Sequence, residues 1–468
     1  MALVTGPASR YSHEVPRAAL VTGLAAALAA GCGRASAPTP PRAAATPRPA
    51  VPARLHELAL PDAPAGIPDG DDDGAPDLAA LAPRADAPAL RFERVAPHAG
   101  AHPRVCDIVG LDASVYTATA VAPLELDGAH VDRYDPAAGT WARMLDWDRG
   151  GAAGVTHEVG GQGFTRLRVI DGRLWATDAD APAYGGFGLV EPGLEDYLFV
   201  SEPDGHFRPL AAGDRPPAGT RVVTLSFHVL DVITYAGAVV ATGGTVDATR
   251  AGGTRFPGGV FVGDVDAPVL RPKFFPGAGH PVGVVRTTTA HRFRGRLYLG
   301  LQNNERRVRW DVVVLTGDPR APSAPEPVLA RLTDEGGWIT RRFASGGGRL
   351  FWIAARAGKG ALFTSRDGVR FAPVPLPAGA GEPQDLLVAG DVRWLLTSTG
   401  LWRARGDDDA FVRIADAPPD DPFGRGDSFC SAPLAAAAGA LWAGSTRDGA
   451  LYRVVSPAAA LTTPSPRR

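Results

Sequence analysis

Residues 337–376, GWITRRFASGGGRLFWIAARAGKGALFTSRDGVRFAPVPL, hold four short strand candidates separated by three turn signals. Residues 338–344 are β-rich and stop at Gly346, Gly347 and Gly348, while 349–355 are largely apolar. Residues 361–366 follow Gly358 and Gly360, and 370–374 follow Asp367-Gly368, a two-residue hairpin signal. The stretch reads as one antiparallel meander. A lone four-stranded sheet has two open edges and two faces to cover, so it needs neighbours like itself.

The chain supplies them. From Leu90 onward the unit recurs, and its second strand carries the signature pair: Val115-Tyr116, Leu174-Trp175, Val239-Val240, Leu297-Tyr298, Leu350-Phe351, Arg393-Trp394 and Leu441-Trp442. Successive first members lie 59, 65, 58, 53, 43 and 48 residues apart, a spacing that suits blade-like units with variable loops. Third strands recur at 131–135, 197–201, 260–263, 312–316, 362–365, 401–403 and 451–454. Fourth strands fall at 141–145, 207–210, 269–274, 327–331, 370–374 and 411–414, one fewer than the units. The missing strand sits at the other end, because LRFERVA at 90–96 resembles GVRFAPV at 368–374 and can complete the last sheet. A ring closed by strands from both termini removes the edge that an open row of sheets exposes. The expectation is an all-β fold, a seven-bladed β-propeller over residues 89–458 closed by an N-terminal strand. Six blades is the rival count, since the unit over 107–145 has a long, poorly patterned connection between its second and third strands.

Composition agrees. Gly (57) and Pro (44) suit many tight turns rather than long helices. A net charge of -2 gives no basic footprint for nucleic acid. Arg outnumbers Lys 46 to 2, which reads as the codon bias of a GC-rich genome rather than as a binding surface. In residues 1–32, Arg10 and Arg17 precede a short apolar run and then Leu28-Ala29-Ala30-Gly31-Cys32, the pattern of an export signal. Residues 33–88 are dominated by Ala, Pro, Arg and Asp and are expected to be a disordered tether; residues 459–468 are expected to be a disordered tail.

Four local resemblances follow from these segments. The ending at Cys32 resembles the bacterial lipobox, which implies acylation of Cys32 and a lipid-anchored protein of the cell envelope, in the outer membrane or facing the periplasm or exterior; an ordinary signal peptide cleaved nearby is the alternative. Residues 130–141, HVDRYDPAAGTW, resemble the Tyr-Asp-Pro and Trp segment of a kelch repeat, as in galactose oxidase-like propellers. Residues 365–371, SRDGVRF, and 201–207, SEPDGHF, resemble the structural Asp-box hairpins of sialidase-like propellers. Asp69, Asp71, Asp73 and Asp77, with Gly74 between them, resemble the calcium loops of EF-hand and thrombospondin type 3 proteins; a solvated acidic linker is the other reading, and no other cofactor is implied.

Counting back about ten residues from each signature pair gives the expected lining of an axial channel: Cys106, Thr165, His228, Thr288, Arg341, Gln384 and Cys430, with Asp231, His291, Arg292, Arg342 and Asp385 nearby. Such a ring can be a ligand site, or a water-filled channel whose polar groups satisfy one another. Export puts Cys106 and Cys430 in an oxidising compartment, and acylation of Cys32 leaves them as one even pair. Cys106 lies nine residues before Val115 and Cys430 eleven before Leu441, so both are expected on the innermost strands of the first and last units, which are neighbours if the ring closes, and a Cys106–Cys430 disulfide is expected; two free thiols are the alternative. His98 and His102 lie in a Gly- and Pro-containing loop, and no Gly-x-Ser-x-Gly elbow or zincin helix is present. The leading expectation is a non-catalytic envelope lipoprotein whose propeller binds a protein or glycan partner. The rival is a propeller enzyme of the glycoside hydrolase, lyase or lactonase type, with its site at the mouth of the channel.

Overall fold

The structure is a computed structural model that describes residues 66–71, 89–100, 104–120, 130–147, 163–179, 195–209, 218–245, 256–276, 284–302, 311–320, 326–328, 338–356, 359–424 and 429–456. Among them there are strands and turns and no helix. After β1 (Arg91–Val95), the first meander is β2 (Arg104–Leu111), β3 (Ser114–Ala120), β4 (His130–Asp135) and β5 (Thr140–Asp146). The next is β6 (Phe164–Ile170), β7 (Arg173–Asp178), β8 (Glu195–Val200) and β9 (Thr220–Thr224). Then come β10 (Ser226–Tyr235) and β11 (Ala238–Thr245), the two-residue β12 (Phe256–Pro257), and β13 (Gly259–Gly263) with β14 (Val269–Phe274). A fourth meander is β15 (Val284–Phe293), β16 (Arg296–Gln302), β17 (Val312–Leu315) and β18 (Glu326–Val328). The fifth is β19 (Ile339–Gly346), β20 (Arg349–Arg356), β21 (Lys359–Ser365) and β22 (Ala372–Pro373); the sixth is β23 (Pro383–Ala389), β24 (Val392–Thr397), β25 (Gly400–Arg405) and β26 (Val412–Asp416). Last are β27 (Leu434–Ala437), β28 (Ala440–Gly444) and β29 (Leu451–Val455), and β29 pairs antiparallel with β1 in the register Phe92↔Val454.

The second and third meanders, and the fourth and fifth, fuse into larger sheets through short lateral contacts. The parallel pair Val269↔Val222 joins β14 to β9, and Gln302↔Ile339 joins β16 to β19. The fourth strand of the second meander is β9, not the expected 207–210. Residues 201–209 form a turn, with Pro209 unable to donate to a ladder, whereas the β-branched run at 220–224 can.

Each first hairpin turns in two residues. In five of these turns, such as Asp171-Gly172 and Arg294-Gly295, both residues lie at positive φ with Gly second, the conformation that matches the twist of tight hairpins. First strands pack side by side in succession, β2 on β6, β6 on β10, β10 on β15, β15 on β19, β19 on β23 and β23 on β27, and β27 also packs on β2. Apolar clusters fill the spaces between consecutive meanders. One joins Val109 and Tyr116 to Leu167 and Phe199; another joins Val105 and Val115 of the first meander to Trp442 and Leu451 of the last. Each large side chain buried in this way contributes roughly 1.5–3 kcal/mol. This is the blade arrangement of a β-propeller.

Two further contacts tie the first meander to the last: Val105 N donates to Ser445 O at 2.7 Å, and Cys106 is disulfide-bonded to Cys430 with Cα atoms 4.6 Å apart. Within the last sheet, Arg94 of β1 pairs with Asp448 at 2.7 Å. Cys430 is not on a strand as expected; it precedes β27, which starts only at Leu434. Pro433 lies between the two and lacks the N–H a ladder would use.

The hairpin at 365–371 shows how a turn can lock two blades. Asp367 Oδ1 accepts from Val369 N and Arg370 N, both at 2.8 Å, and Ser365 Oγ accepts from Gly368 N at 2.8 Å. This seats Gly368, at φ +76, directly on the Tyr298 hydroxyl of the preceding blade, where a Cβ would overlap it. Gly406 has a similar φ of +68 but open space around it. Gly368→Ala is therefore expected to destabilise by about 2 kcal/mol more than Gly406→Ala, because only the former adds a clash to the left-handed strain. Equal thermal midpoints for the two variants would refute the contact.

Candidate functional site

Most of the first strands carry a β-bulge. The ladder skips a residue between Val105 and Asp107, Thr287 and Thr289, Thr340 and Arg342, and Pro383 and Asp385, leaving Cys106, Thr288, Arg341 and Gln384 at the extra position. A bulge re-aims the side chains that follow it, which is how the polar lining of the channel is set. In β10 the corresponding skip lies between Val229 and Asp231, so Leu230, not His228, takes the expected place. His228 sits two residues earlier, in a second irregularity next to Ser226. Cys106, Thr165, Thr288, Arg341 and Gln384 stand nine residues before their signature pairs, whereas His228 and Cys430 stand eleven before theirs, and those two therefore fall away from the level of the others.

Five residues before each two-residue turn stand Asp107, Arg166, Asp231, Thr289, Arg342, Asp385 and Pro433. Each carboxylate of this row serves the neighbouring blade. Asp107 Oδ2 accepts from Leu167 N at 2.9 Å, Asp231 Oδ2 from Ala290 N at 2.9 Å, and Asp385 Oδ2 from Leu434 N at 2.8 Å. Asp231 also accepts from Thr289 Oγ1 at 2.9 Å and Val232 N at 2.8 Å, and takes Arg168 bidentately through Nε at 3.0 Å and Nη2 at 2.9 Å. Arg166, Arg168 and Asp107 were not in the expected lining. Counting back eight residues from each apolar pair, instead of about ten, reaches Asp107 and Arg166, and Arg168 lies two residues further along β6.

Two of the arginines cross the axis. Arg342 Nη2 reaches Asp107 Oδ1 at 2.5 Å and Cys106 O at 3.2 Å, with its Nε 3.7 Å from Asp385; Arg166 Nη2 donates to Arg341 O at 2.7 Å. Burial, with the Arg342 charge close by, lowers the Arg166 guanidinium to about 10. Burial pushes the Asp385 carboxyl up from its ordinary range, against the pull of Arg342. Thr165 Oγ1 donates to Leu230 O at 3.0 Å and Thr288 Oγ1 to Thr340 O at 2.8 Å. Arg341 pairs with Glu382 at 2.9 Å, and Gln384 Nε2 lies 3.5 Å from Glu382 O. The crevice lined by Thr165, Arg166, Leu230, Thr288, Arg341 and Phe429 is too narrow to take a water molecule.

Nearer the strand starts, His228 faces Phe429 at 6.3 Å between ring centres, and Arg286 lies over the same ring at 5.3 Å while donating to Gln302 at 2.9 Å. Nearer the turns, His291 meets Ser345 Oγ at 2.9 Å. Asp69 and Asp71 face the turn end of the channel, and among the described residues no three His, Cys, Asp or Glu side chains converge as metal ligands. Cys32, Asp73 and Asp77 lie outside the described residues.

No protein-family model matches the chain, and no curated protein matches it. Solved structures similar to it include the AfRom2 CNH domain (9% identity over 78% of this chain and 99% of that one, TM-score 0.44). Others are a catalytically inactive virginiamycin B lyase from Staphylococcus aureus with quinupristin (8%, 78% and 99%, TM-score 0.43) and a polysaccharide lyase acting on ulvan (12%, 78% and 96%, TM-score 0.43). At such identities and scores nothing of their activity transfers to this chain.

Two outcomes follow from the lining. Asp231→Ala leaves Arg168 without its bidentate partner in a buried site and is expected to cost about 3–5 kcal/mol, read as a large drop in thermal midpoint; a change within surface-mutation range would refute the anchoring role. Burial, reinforced by the Arg286 charge, holds the His228 imidazole well below 6.5. The unfolded chain thus binds the proton first, so the stability is fully present above pH 6.5 and is lost as pH falls below it. His228→Gln should flatten that acid limb in a series of melts, and an unchanged limb would exclude His228 as its source.

Proposed function

We propose that this protein is a lipid-anchored envelope protein whose seven-bladed β-propeller is a non-catalytic scaffold for a protein or glycan partner. The observation that carries the non-catalytic part is the reach of Arg342 and Arg166 across the axis, where they bind Asp107 and a backbone carbonyl. Side chains that satisfy one another in this way leave no room for a substrate between them, and their removal would expose buried charge. Seven blades and a closed ring are supported by the antiparallel pairing of β1 with β29, by the Cys106–Cys430 bridge, and by the apolar cluster shared by the first and last meanders.

The accompanying domain plan is a signal peptide at 1–32, a tether at 33–88, the propeller at 89–458 and a tail at 459–468, with Cys32 as the acylated residue. Two lipid chains or more would hold such a protein stably at a bilayer.

The test has two arms. The full-length protein is offered neutral and uronate-containing polysaccharides and small lactones, and new reducing ends, unsaturated products or ring opening are measured; none is expected. Turnover that disappears in His228→Ala or Arg341→Ala would overturn the scaffold reading in favour of an enzyme at the channel mouth. In the second arm, Cys32→Ser is expected to move the protein from the detergent phase to the aqueous phase or to stall its processing. A wild-type protein wholly in the aqueous phase would refute the anchor.

A further inference from the structure

Within the stretch that reads as a tether, residues 66–71 lie against the turn end of the first strands. Gly70 forms an isolated antiparallel bridge with Arg292: Gly70 N donates to Arg292 O at 2.8 Å and Arg292 N to Gly70 O at 2.9 Å. Arg294 N donates to Asp69 Oδ1 at 2.6 Å, Arg292 Nη2 donates to Asp71 O at 3.2 Å, and Ile67 packs on the apolar cluster shared by the third and fourth blades. The segment thereby delivers one carboxylate to the channel. Asp71 Oδ2 lies 3.2 Å from Arg168 Nη1 and 3.8 Å from His291 Nδ1.

Arg168 is buried, at 1% exposure, with its Nε and Nη2 on Asp231 and its Nη1 beside Asp71 Oδ2. Asp231 is itself fixed by Val232 N, Ala290 N and Thr289 Oγ1, all on β10 and β15. His291 is oriented through Nε2 by Ser345 Oγ at 2.9 Å. A buried, pre-oriented guanidinium corner beside an imidazole is a receptor for an oxyanion of carboxylate geometry.

We propose that this mouth is a carboxylate-binding site, and that Asp71 is its occupant in cis. A free ligand would be a carboxylate on a sugar acid or on an acidic extended peptide; both present the same oxyanion, and the peptide could add the strand-like bridge that Gly70 makes. The site lies at the end of the channel opposite His228 and Phe429, so it stands whether or not the scaffold reading does.

The test uses chemical rescue in the full-length chain. Asp71→Ala removes the resident carboxylate and lowers the thermal midpoint. Sodium acetate is expected to raise that midpoint by about 3 °C relative to sodium chloride at equal ionic strength, while the wild type, already occupied, gains nothing beyond the chloride control. Sodium glucuronate and the peptide acetyl-Pro-Asp-Gly-Asp-amide form the other arms, and whichever acts at a tenth of the acetate concentration identifies the source of the natural carboxylate. Asp71→Ser repeats the experiment with a polar side chain, and Asp71→Ala with His291→Gln is expected to need several-fold more acetate. The proposal is overturned if acetate acts no better than chloride on both Asp71 variants, or if the wild type gains as much as they do.

Discussion

A four-stranded meander buries neither of its faces, and among the described residues the apolar faces of each meander are covered chiefly by the meanders beside it. The fully buried indoles of Trp175, Trp352, Trp394 and Trp442 sit on second strands, in apolar clusters that each draw on two adjacent units. Stability of any one blade is thus a property of its two neighbours, as in other stacked repeats. An open row would leave Val105, Val115 and Tyr134 on one end facing water and Ala440, Trp442 and Leu451 on the other. The contacts that bring those ends together also include the disulfide and the pairing of β1 with β29, so the chain termini of the folded part are held by three different kinds of bond.

The same dependence extends to the axis. Asp107, Asp231 and Asp385 each accept a backbone N–H from the adjacent first strand, so the carboxylates that line the channel also set the spacing of the blades. Their negative charge is then matched by arginines that lie across the axis or beside it. Such groups are costly to desolvate and are retained only where every partner is in place. Their arrangement fills the middle of the channel with structure and moves any exchange with ligands to its two mouths. At one mouth an aromatic ring, an imidazole held neutral and Arg286 stand together; at the other Asp71 already meets Arg168.

The sequence by itself determined the strand content, the repeat and the partner of the N-terminal strand. Apolar pairs behind a tight turn recur because each second strand is buried on both sides, and LRFERVA carries the alternation of an outer strand. The pairing of Cys106 with Cys430 also followed from the repeat, since only neighbouring blades bring residues 324 apart in sequence within bonding distance. Tertiary structure alone decided the level at which each polar side chain enters the channel. Leu230, at the bulge position shared by most first strands, takes the place expected of His228, and Cys430 falls ahead of its strand because β27 starts only after Pro433. A bulge is a property of the ladder between two strands and has no periodic trace in one of them. For the same reason composition marked residues 66–71 as linker: a backbone bridge, polar contacts of Asp69 and Asp71 and the single apolar side chain of Ile67 hold them, and these leave no periodic hydrophobic pattern in the sequence.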